Sequence, residues 1–287
     1  MRKRNETVVV AGATGYLGGH VVRAARDAGY HVRGLARDAA RLGPVDESFV
    51  GQATQPETLT GLFDGASVAF SSVGVRHLRR RPTIWEVDER ANLNLVDEAE
   101  RAGVRRFVFV SVLGGATLRD RFPAAEARER VVDRLRASGM SYAVLRPSGF
   151  YNDMLETLSM AQRGRVWLFG DGSAELNPIH GADLADACVQ AFRSETRDEA
   201  DVGGPEVWSM RQIGELAFQA LDRPARFGHL PLGLLSAAAS MALPFHTNLH
   251  ALLRMLDVFH RSPRLAPPVG THRLLPFFER ALASGEK

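Results

Sequence analysis

The stretch Val8-Val9-Val10-Ala11-Gly12-Ala13-Thr14-Gly15-Tyr16-Leu17-Gly18-Gly19-His20-Val21-Val22 decides the fold. Four apolar residues read as a buried strand, Gly12, Gly15 and Gly18 as a turn, and Leu17, Val21 and Val22 as the first stripe of a helix. A strand that runs through glycines into a helix offers free N–H groups and the positive end of the helix dipole to a phosphate. Gly12 suits the tight turn, Gly15 a bare backbone beside the ligand, and Gly18 close packing of helix on strand. The glycines are spaced by three and three, unlike GxGxxG. The strand–turn–helix setting is nevertheless the one such a motif requires, and it predicts binding of a dinucleotide pyrophosphate.

Working outward, Tyr30-His31-Val32-Arg33-Gly34-Leu35-Ala36-Arg37-Asp38 reads as the second strand. A carboxylate at its end would hold the ribose hydroxyls of NAD, whereas an arginine would hold the 2′-phosphate of NADP. Ala36 stands at the acid's place and Arg37 follows, so NADP(H) is favoured, with NAD(H) as the alternative because Asp38 is close behind. For Arg33 and Arg37, plain solvent-facing charge is the competing reading.

Further strands are expected at Thr7–Ala11, His31–Ala36, Ser48–Val50, Val68–Ser71, Phe107–Ser111 and Tyr142–Leu145. Between them Val87, Ala91, Leu95 and Ala99 recur at helical steps, and Val131, Val132 and Leu135 precede a Ser138-Gly139 stop. Strands alternating with helices predict an α/β fold with a doubly wound parallel sheet. Leu184, Ala187, Cys188, Ala191 and Phe192 trace one more helix of that layer, with Asp183 expected to cap it. Beyond Asp198 the alternation is lost. Helices expected at Met210–Leu221, Leu232–Leu243, Leu249–His260 and Leu274–Ala283 form a smaller, mainly helical substrate lobe. The predicted division is residues 1–150, with 177–195 returning, for the binding core, and 151–176 with 196–287 for the lobe.

The composition narrows the function. The chain has 287 residues, 45% hydrophobic and 24% charged, with 36 basic against 33 acidic side chains, so the net charge is only +3 and no nucleic-acid surface is implied. Cys188 is the single cysteine, which excludes an internal disulfide, a cysteine-rich zinc site and a CxxC pair, and a reducing cytoplasm fits. Arg2-Lys3-Arg4 is followed by too short an apolar run for a signal peptide. Leu230–Phe245 is uncharged but falls short of the roughly 20 residues of a membrane span. It reads as a buried helix, with peripheral membrane contact as the lesser reading. No metal is expected, for want of ligand spacing, and no GxSxG elbow supports a hydrolase.

The pattern resembles the short-chain dehydrogenase/reductase superfamily, and within it the atypical NmrA-like NAD(P)H-binding members. The resemblance rests on AGATGYLGGHVV at Ala11–Val22, VRGLARD at Val32–Asp38, VDERANLNLVDEAERAGVRRFVFVSVLG at Val87–Gly114, RASGMSYAVLRPSGFYND at Arg136–Asp153, FGDG at Phe169–Gly172, NPIHGADLADA at Asn177–Ala187 and GGPEVWSMRQIGELA at Gly203–Ala217. It implies a Rossmann core with a substrate cleft at the strand C-terminal ends. It also implies a cofactor site built from Gly12, Thr14, Gly15, Tyr16, Leu17, Gly18, Arg37, Gln52, Ala53, Ser72, Val73, Ser111, Arg128 and Pro147. Gln52 replaces an aspartate common in the family near adenine, and an amide can still hydrogen-bond the base.

The departure that matters is chemical. The superfamily's usual machinery is a serine with a Tyr-x-x-x-Lys pair, the tyrosine as acid and the lysine lowering its pKa. Ser111 stands at the serine's place, but Ala124 and Arg128 stand at those of the tyrosine and lysine, and the chain's only lysines are Lys3 and Lys287. An always-charged arginine is no general acid. The candidate catalytic residues are therefore Ser111, Arg128 and Tyr151, with Tyr151 as the remaining proton donor or as a packing residue, and His180 as a buried or capping histidine. A hydride acceptor that needs no protein acid, such as a conjugated or quinone-like small molecule, fits such a site. A non-catalytic NADP(H)-sensing regulator or assembly factor with a protein partner is the alternative, and a nucleotide-sugar epimerase is disfavoured by the missing tyrosine. The run Arg76-His77-Leu78-Arg79-Arg80-Arg81 reads as a solvated loop, with an anionic substrate group or acidic partner as the sharper reading.

Overall fold

A computed structural model describes residues 6–75 and 78–284; Arg2, Lys3, Arg4, Arg76, His77 and Lys287 lie outside the described residues. In chain order the elements are β1 (Thr7–Ala11), α1 (Tyr16–Asp27), β2 (His31–Ala36), β3 (Glu47–Val50), β4 (Ala66–Ser71), a π-helical turn (Trp85–Ala91) running into α2 (Asn92–Arg101), β5 (Arg106–Val110), α3 (Gly115–Leu118), α4 (Pro123–Ala137) and β6 (Ser141–Pro147). They continue as α5 (Tyr151–Gln162), β7 (Val166–Phe169), β8 (Glu175–Leu176), α6 (Gly181–Phe192), β9 (Asp198–Val202), β10 (Trp208–Ser209), α7 (Met210–Ala220), β11 (Phe227–Leu230), α8 (Gly233–Ala242), α9 (Thr247–Arg261) and α10 (Leu274–Ser284). Two compact units result, Met1–Arg146 with Leu184–Ala200, and Pro147–Asp183 with Asp201–Lys287.

The first unit holds a seven-stranded sheet in the order β3-β2-β1-β4-β5-β6-β9. The pairings from β3 through to β6 are all parallel, with Val10 opposite Gly34 on one side and Phe70 on the other. Both faces are covered, which is why these strands are apolar without alternation. Val9, Ala11, Ala69, Phe107, Phe109 and Val144 pack with Leu95, Val96 and Ala99 of α2 and Val131, Val132 and Leu135 of α4. On the opposite face Phe70 meets Phe192 of α6 edge to face at 6.2 Å. The strand order reverses between β1 and β4, and the chain leaves both strands there at their C-terminal ends, the place where open α/β sheets bind ligands.

Strand β9 departs from the sequence reading, which places this segment in the lobe. Its residues Asp-Glu-Ala-Asp-Val are exposed up to Val202, so it carries no apolar signal and sits as a charged edge. The borders of the units also differ from the predicted ones. Residues 147–150 and 177–183 go with the second unit, where Ser148 N–H donates to the Val202 carbonyl and Tyr151 N–H to that of Ile179.

The second unit has its own core, in which Tyr151, Met154 and Leu158 of α5 meet Ile213, Ala217 and Phe218 of α7 and Leu274, Phe277 and Phe278 of α10. Strand β11 pairs parallel with β7, Phe227 opposite Val166. The expected burial of Leu230–Phe245 is corrected. Leu235, Ala239 and Ala242 are buried, but Leu234, Met241, Leu243 and Phe245 are 51%, 74%, 57% and 72% exposed. An antiparallel pair of helices, α8 and α9, hides only the sides that face one another, and the rest of α8 stays open. Among the described residues no helix is long and apolar enough to cross a membrane.

Candidate functional site

Gly12 adopts φ +88°, a left-handed conformation that favours glycine, and Gly15 N–H donates to the Gly12 carbonyl at 2.8 Å to close the turn. A Cβ on Gly18 would stand 2.0 Å from that same carbonyl oxygen, so α1 begins pressed against the end of β1. Gly15 caps the helix without a side-chain bond and no acidic residue lies in its first turn, leaving the first amides for an anion. Leu17 and Gly18 are buried, Thr14 is exposed, and Tyr16 lies edge to face with His20 at 5.1 Å. Across the turn, Ser72 N–H donates to the Ala11 carbonyl, and a Cβ on Gly12 would meet the Ser72 hydroxyl at 2.9 Å. Ser72 thus lies against the glycine turn, with Val73 next in the chain.

At the end of β2 the two arginines separate. Arg33 is not solvent-facing charge: it donates to the carbonyls of Leu62 and Asp64 at 2.8 and 2.9 Å and pairs with Glu47 at 2.9 Å. Arg37 is exposed, and no side-chain partner is recorded for it among the described residues. Asp38 turns its carboxylate onto Ala40 N–H at 3.0 Å, capping a short 3₁₀ turn. After β3, the Gln52 amide donates to the Thr54 hydroxyl at 2.9 Å, and the Ala53 carbonyl accepts from Asn94 at 2.9 Å.

Ser111 and Arg128 are adjacent to the same strand ends but are each committed to protein partners. The guanidinium of Arg128 pairs with buried Asp88 at 2.7 Å and donates to the carbonyls of Val110 and Val73, which ties the loop after β4 to the end of β5. Gly74 leaves room for that side chain, since a Cβ there would lie 2.2 Å from an Arg128 nitrogen and the guanidinium would have to shift. Asp88 also accepts Val75 N–H at 2.9 Å. Of the five donor hydrogens of Arg128, Nε–H and one on a terminal nitrogen are not used in these bonds. The Ser111 hydroxyl donates to Glu129 at 3.1 Å, and its N–H to the Leu145 carbonyl at 2.8 Å. Glu129, 1% exposed, is held by Arg146 through bonds of 3.1 and 2.9 Å, and Arg146 also reaches Glu199 of β9 at 2.8 Å. Burial works against the charge on Glu199, and the bonds from Arg146 and Arg136 outweigh it, holding its carboxyl below the usual range. Sequence reasoning missed Asp88, Glu129, Arg146 and Glu199. The i+1 step from Arg128 to Glu129 on α4 was the available signal, and only the strand ends reveal what these two side chains reach.

Pro147 and Tyr151 belong to the second unit. Pro147 is buried at the last position of β6. Tyr151, expected as either a proton donor or a packing residue, is fully buried, and its hydroxyl donates to the His272 carbonyl at 2.8 Å. His180 caps α6, its Nδ1 accepting from Ala182 N–H at 3.2 Å, and its ring stacks on His272 at 4.0 Å. Asp183, expected at that cap, turns instead to the N–H groups of Thr271 and His272 and to the His272 ring at 2.7 Å. In the arginine run, Arg79, Arg80 and Arg81 are exposed and Arg81 pairs with Glu86 at 2.7 Å. Among the described residues no three His, Cys, Asp or Glu side chains are grouped as a metal site needs.

A family model described as NAD(P)H-binding matches residues 12–195. The photosystem II assembly factor Ycf39 of Guillardia theta is 27% identical over 242 residues, covering 80% of this chain and 74% of that protein. The chloroplastic divinyl chlorophyllide a 8-vinyl-reductase of Oryza sativa subsp. indica is 26% identical over 321 residues, covering 97% of this chain and 79% of the relative. In fold, the chain is similar to an NADPH-dependent quinone oxidoreductase of Escherichia coli solved with NADPH, at a TM-score of 0.75 and 18% identity, covering 96% of this chain and 99% of that one.

Proposed function

Because the chain belongs to the NAD(P)H-binding family, we propose that it is a reductase that passes hydride from NADPH to a conjugated or quinone-like small molecule without a tyrosine–lysine pair. The observation that carries this reading is the commitment of Ser111 and Arg128 to Glu129 and Asp88, which leaves no tyrosine–lysine acid pair at the strand ends among the described residues. The acceptor must then spread the incoming charge itself and take its proton from water, and positioning supplies the catalysis.

The residues present fit the dinucleotide, since Gly12 turns the chain with a positive φ, Gly18 lets α1 begin against the end of β1, and no side chain caps the first amides of that helix. In this proposal the amides from Gly15 to Gly18, with the exposed Thr14, hold the pyrophosphate, and Tyr16 and Leu17 frame it. Gln52 and Ala53 receive the adenine, and Ser72 and Val73 line the passage beside the turn. Arg128 offers its remaining donors to a ribose hydroxyl, while Ser111, its proton given to Glu129, presents only lone pairs to a substrate N–H or O–H. NADP(H) is favoured over NAD(H) because Arg37 is exposed without a recorded acidic partner and Asp38 is engaged in a cap. When bound, NADPH supplies the hydride.

The test follows reduced-nicotinamide absorbance with a panel of quinones, conjugated enones and cationic dyes, beside binding titrations with NADPH and NADH. Turnover with one acceptor class, tighter NADPH than NADH binding, and loss of that preference in Arg37→Ala support the reading. Tight NADPH binding with no turnover across the panel refutes it and favours a second reading, a cofactor-sensing assembly factor. That alternative is supported by the likeness to Ycf39 and by the same engagement of Ser111 and Arg128 with protein carboxylates.

A further inference from the structure

Strands β7 and β11 begin side by side, and the residues just before them, Arg165 and Arg226, flank a register in which Val166 faces Phe227. Two more arginines join them. Arg163 is answered by Glu156 at 3.1 Å. Arg223 donates to the Gln162 carbonyl at the end of α5, at 3.3 Å. Arg165 lies over the exposed Trp167 ring at 5.7 Å. No ion pair is recorded for Arg165, Arg223 or Arg226 among the described residues, and Arg223 and Arg226 line a cavity of about 200 Å³ with Gly164, Phe218 and Pro224.

Two like charges lining one cavity with no recorded carboxylate partner repel one another, and the half charge of a helix C-terminus does not balance them. Guanidinium forks match phosphate geometry better than any other side chain. The volume is that of about six or seven waters, enough for a phosphate group and a few carbons. Phe218, which is 2% exposed, and Pro224 offer those carbons an apolar wall.

We infer that the second unit carries an oxyanion site, formed by Arg223 and Arg226, for the phosphate group of a small molecule whose apolar part rests on Phe218 and Pro224. The site is separate in its residues from the glycine turn of the first unit and independent of the reaction proposed above.

The test uses the full chain saturated with NADPH, so that the glycine turn is already filled. Inorganic phosphate and phenyl phosphate are titrated by calorimetry at constant ionic strength, with chloride as the control anion. The expected result is saturable binding of both, tighter for phenyl phosphate, weakened at least tenfold in Arg226→Gln and in Arg223→Gln and unchanged in Arg264→Gln. Arg226→Gln is decisive, because its side chain has no recorded bond to the fold and the variant keeps its NADPH affinity. Absence of saturable binding, equal heats with chloride, or affinity within twofold of the parent in Arg226→Gln overturns the proposal.

Discussion

Replacing Gly18 by alanine tests the glycine turn most directly. The added carbon would lie 2.0 Å from the Gly12 carbonyl oxygen, 2.6 Å from its carbon and 3.0 Å from the Ala13 Cα, all backbone atoms with no side chain to swing aside. A carbon and a carbonyl oxygen approach to about 3.3 Å, so the start of α1 must retreat from β1 by more than about 1 Å. Overpacking of this kind costs about 1 to 3 kcal/mol of stability. The same retreat carries an amide from about 2.9 Å to beyond hydrogen-bond reach of a phosphate oxygen. A hydrogen bond to a charged group contributes about 1.5 to 3 kcal/mol, so losing one weakens NADPH roughly 10- to 150-fold. The paired control is Gly19→Ala, whose Cβ meets nothing nearer than an Arg23 nitrogen at 3.8 Å. It exchanges a helix glycine for alanine and gains about 0.5 to 1 kcal/mol. NADPH fluorescence titration and urea unfolding of both variants give the answer. If Gly18→Ala binds NADPH within twofold of the parent protein, the contact between helix and turn does not position the pyrophosphate.

Arg128→Met strands the buried Asp88 carboxylate and is expected to cost about 3 to 5 kcal/mol in urea unfolding, with Asp88→Asn added to it restoring part of the loss. Because the folded pKa of Glu199 is depressed, its contribution is complete above the ordinary carboxylate value of about 4.3 and is lost as pH falls through the lower folded value. Unfolding measured from pH 7 to pH 3 should therefore show a smaller acid loss in Glu199→Gln than in the parent. Cys188 is fully buried and burial raises its thiol pKa, so a thiol reagent is expected to label it only as fast as the protein unfolds.

The parallel sheet was legible because Val8–Ala11, Phe107–Val110 and Tyr142–Leu145 are buried on both faces and must be apolar throughout. The glycine turn was legible because only glycine tolerates the φ of Gly12 and the approach at Gly18. Strand β9 was not, since a charged edge strand is held by its neighbour's backbone rather than by apolar burial. Nor was the ion-pair chain Glu129–Arg146–Glu199. Its members stand 17 and 53 residues apart, and no local pattern distinguishes a buried pair from the many surface pairs such as Arg134 with Asp97. Tyr151 followed from its place after β6, yet the direction of its hydroxyl depends on the backbone of His272, 121 residues away.

Arg106 gives the first unit a particular order of completion during synthesis. Its side chain is 1% exposed, and burial lowers its pKa. It donates to the carbonyls of Ala191 and Thr196, 85 and 90 residues further along. While a ribosome has delivered only the residues up to β6, this guanidinium has neither acceptor, and β6 is an open edge. The segment of the second unit that intervenes, Pro147–Asp183, therefore emerges before its predecessor can close. A nascent chain of this protein must keep an unfinished sheet soluble until α6 and β9 arrive to seal it.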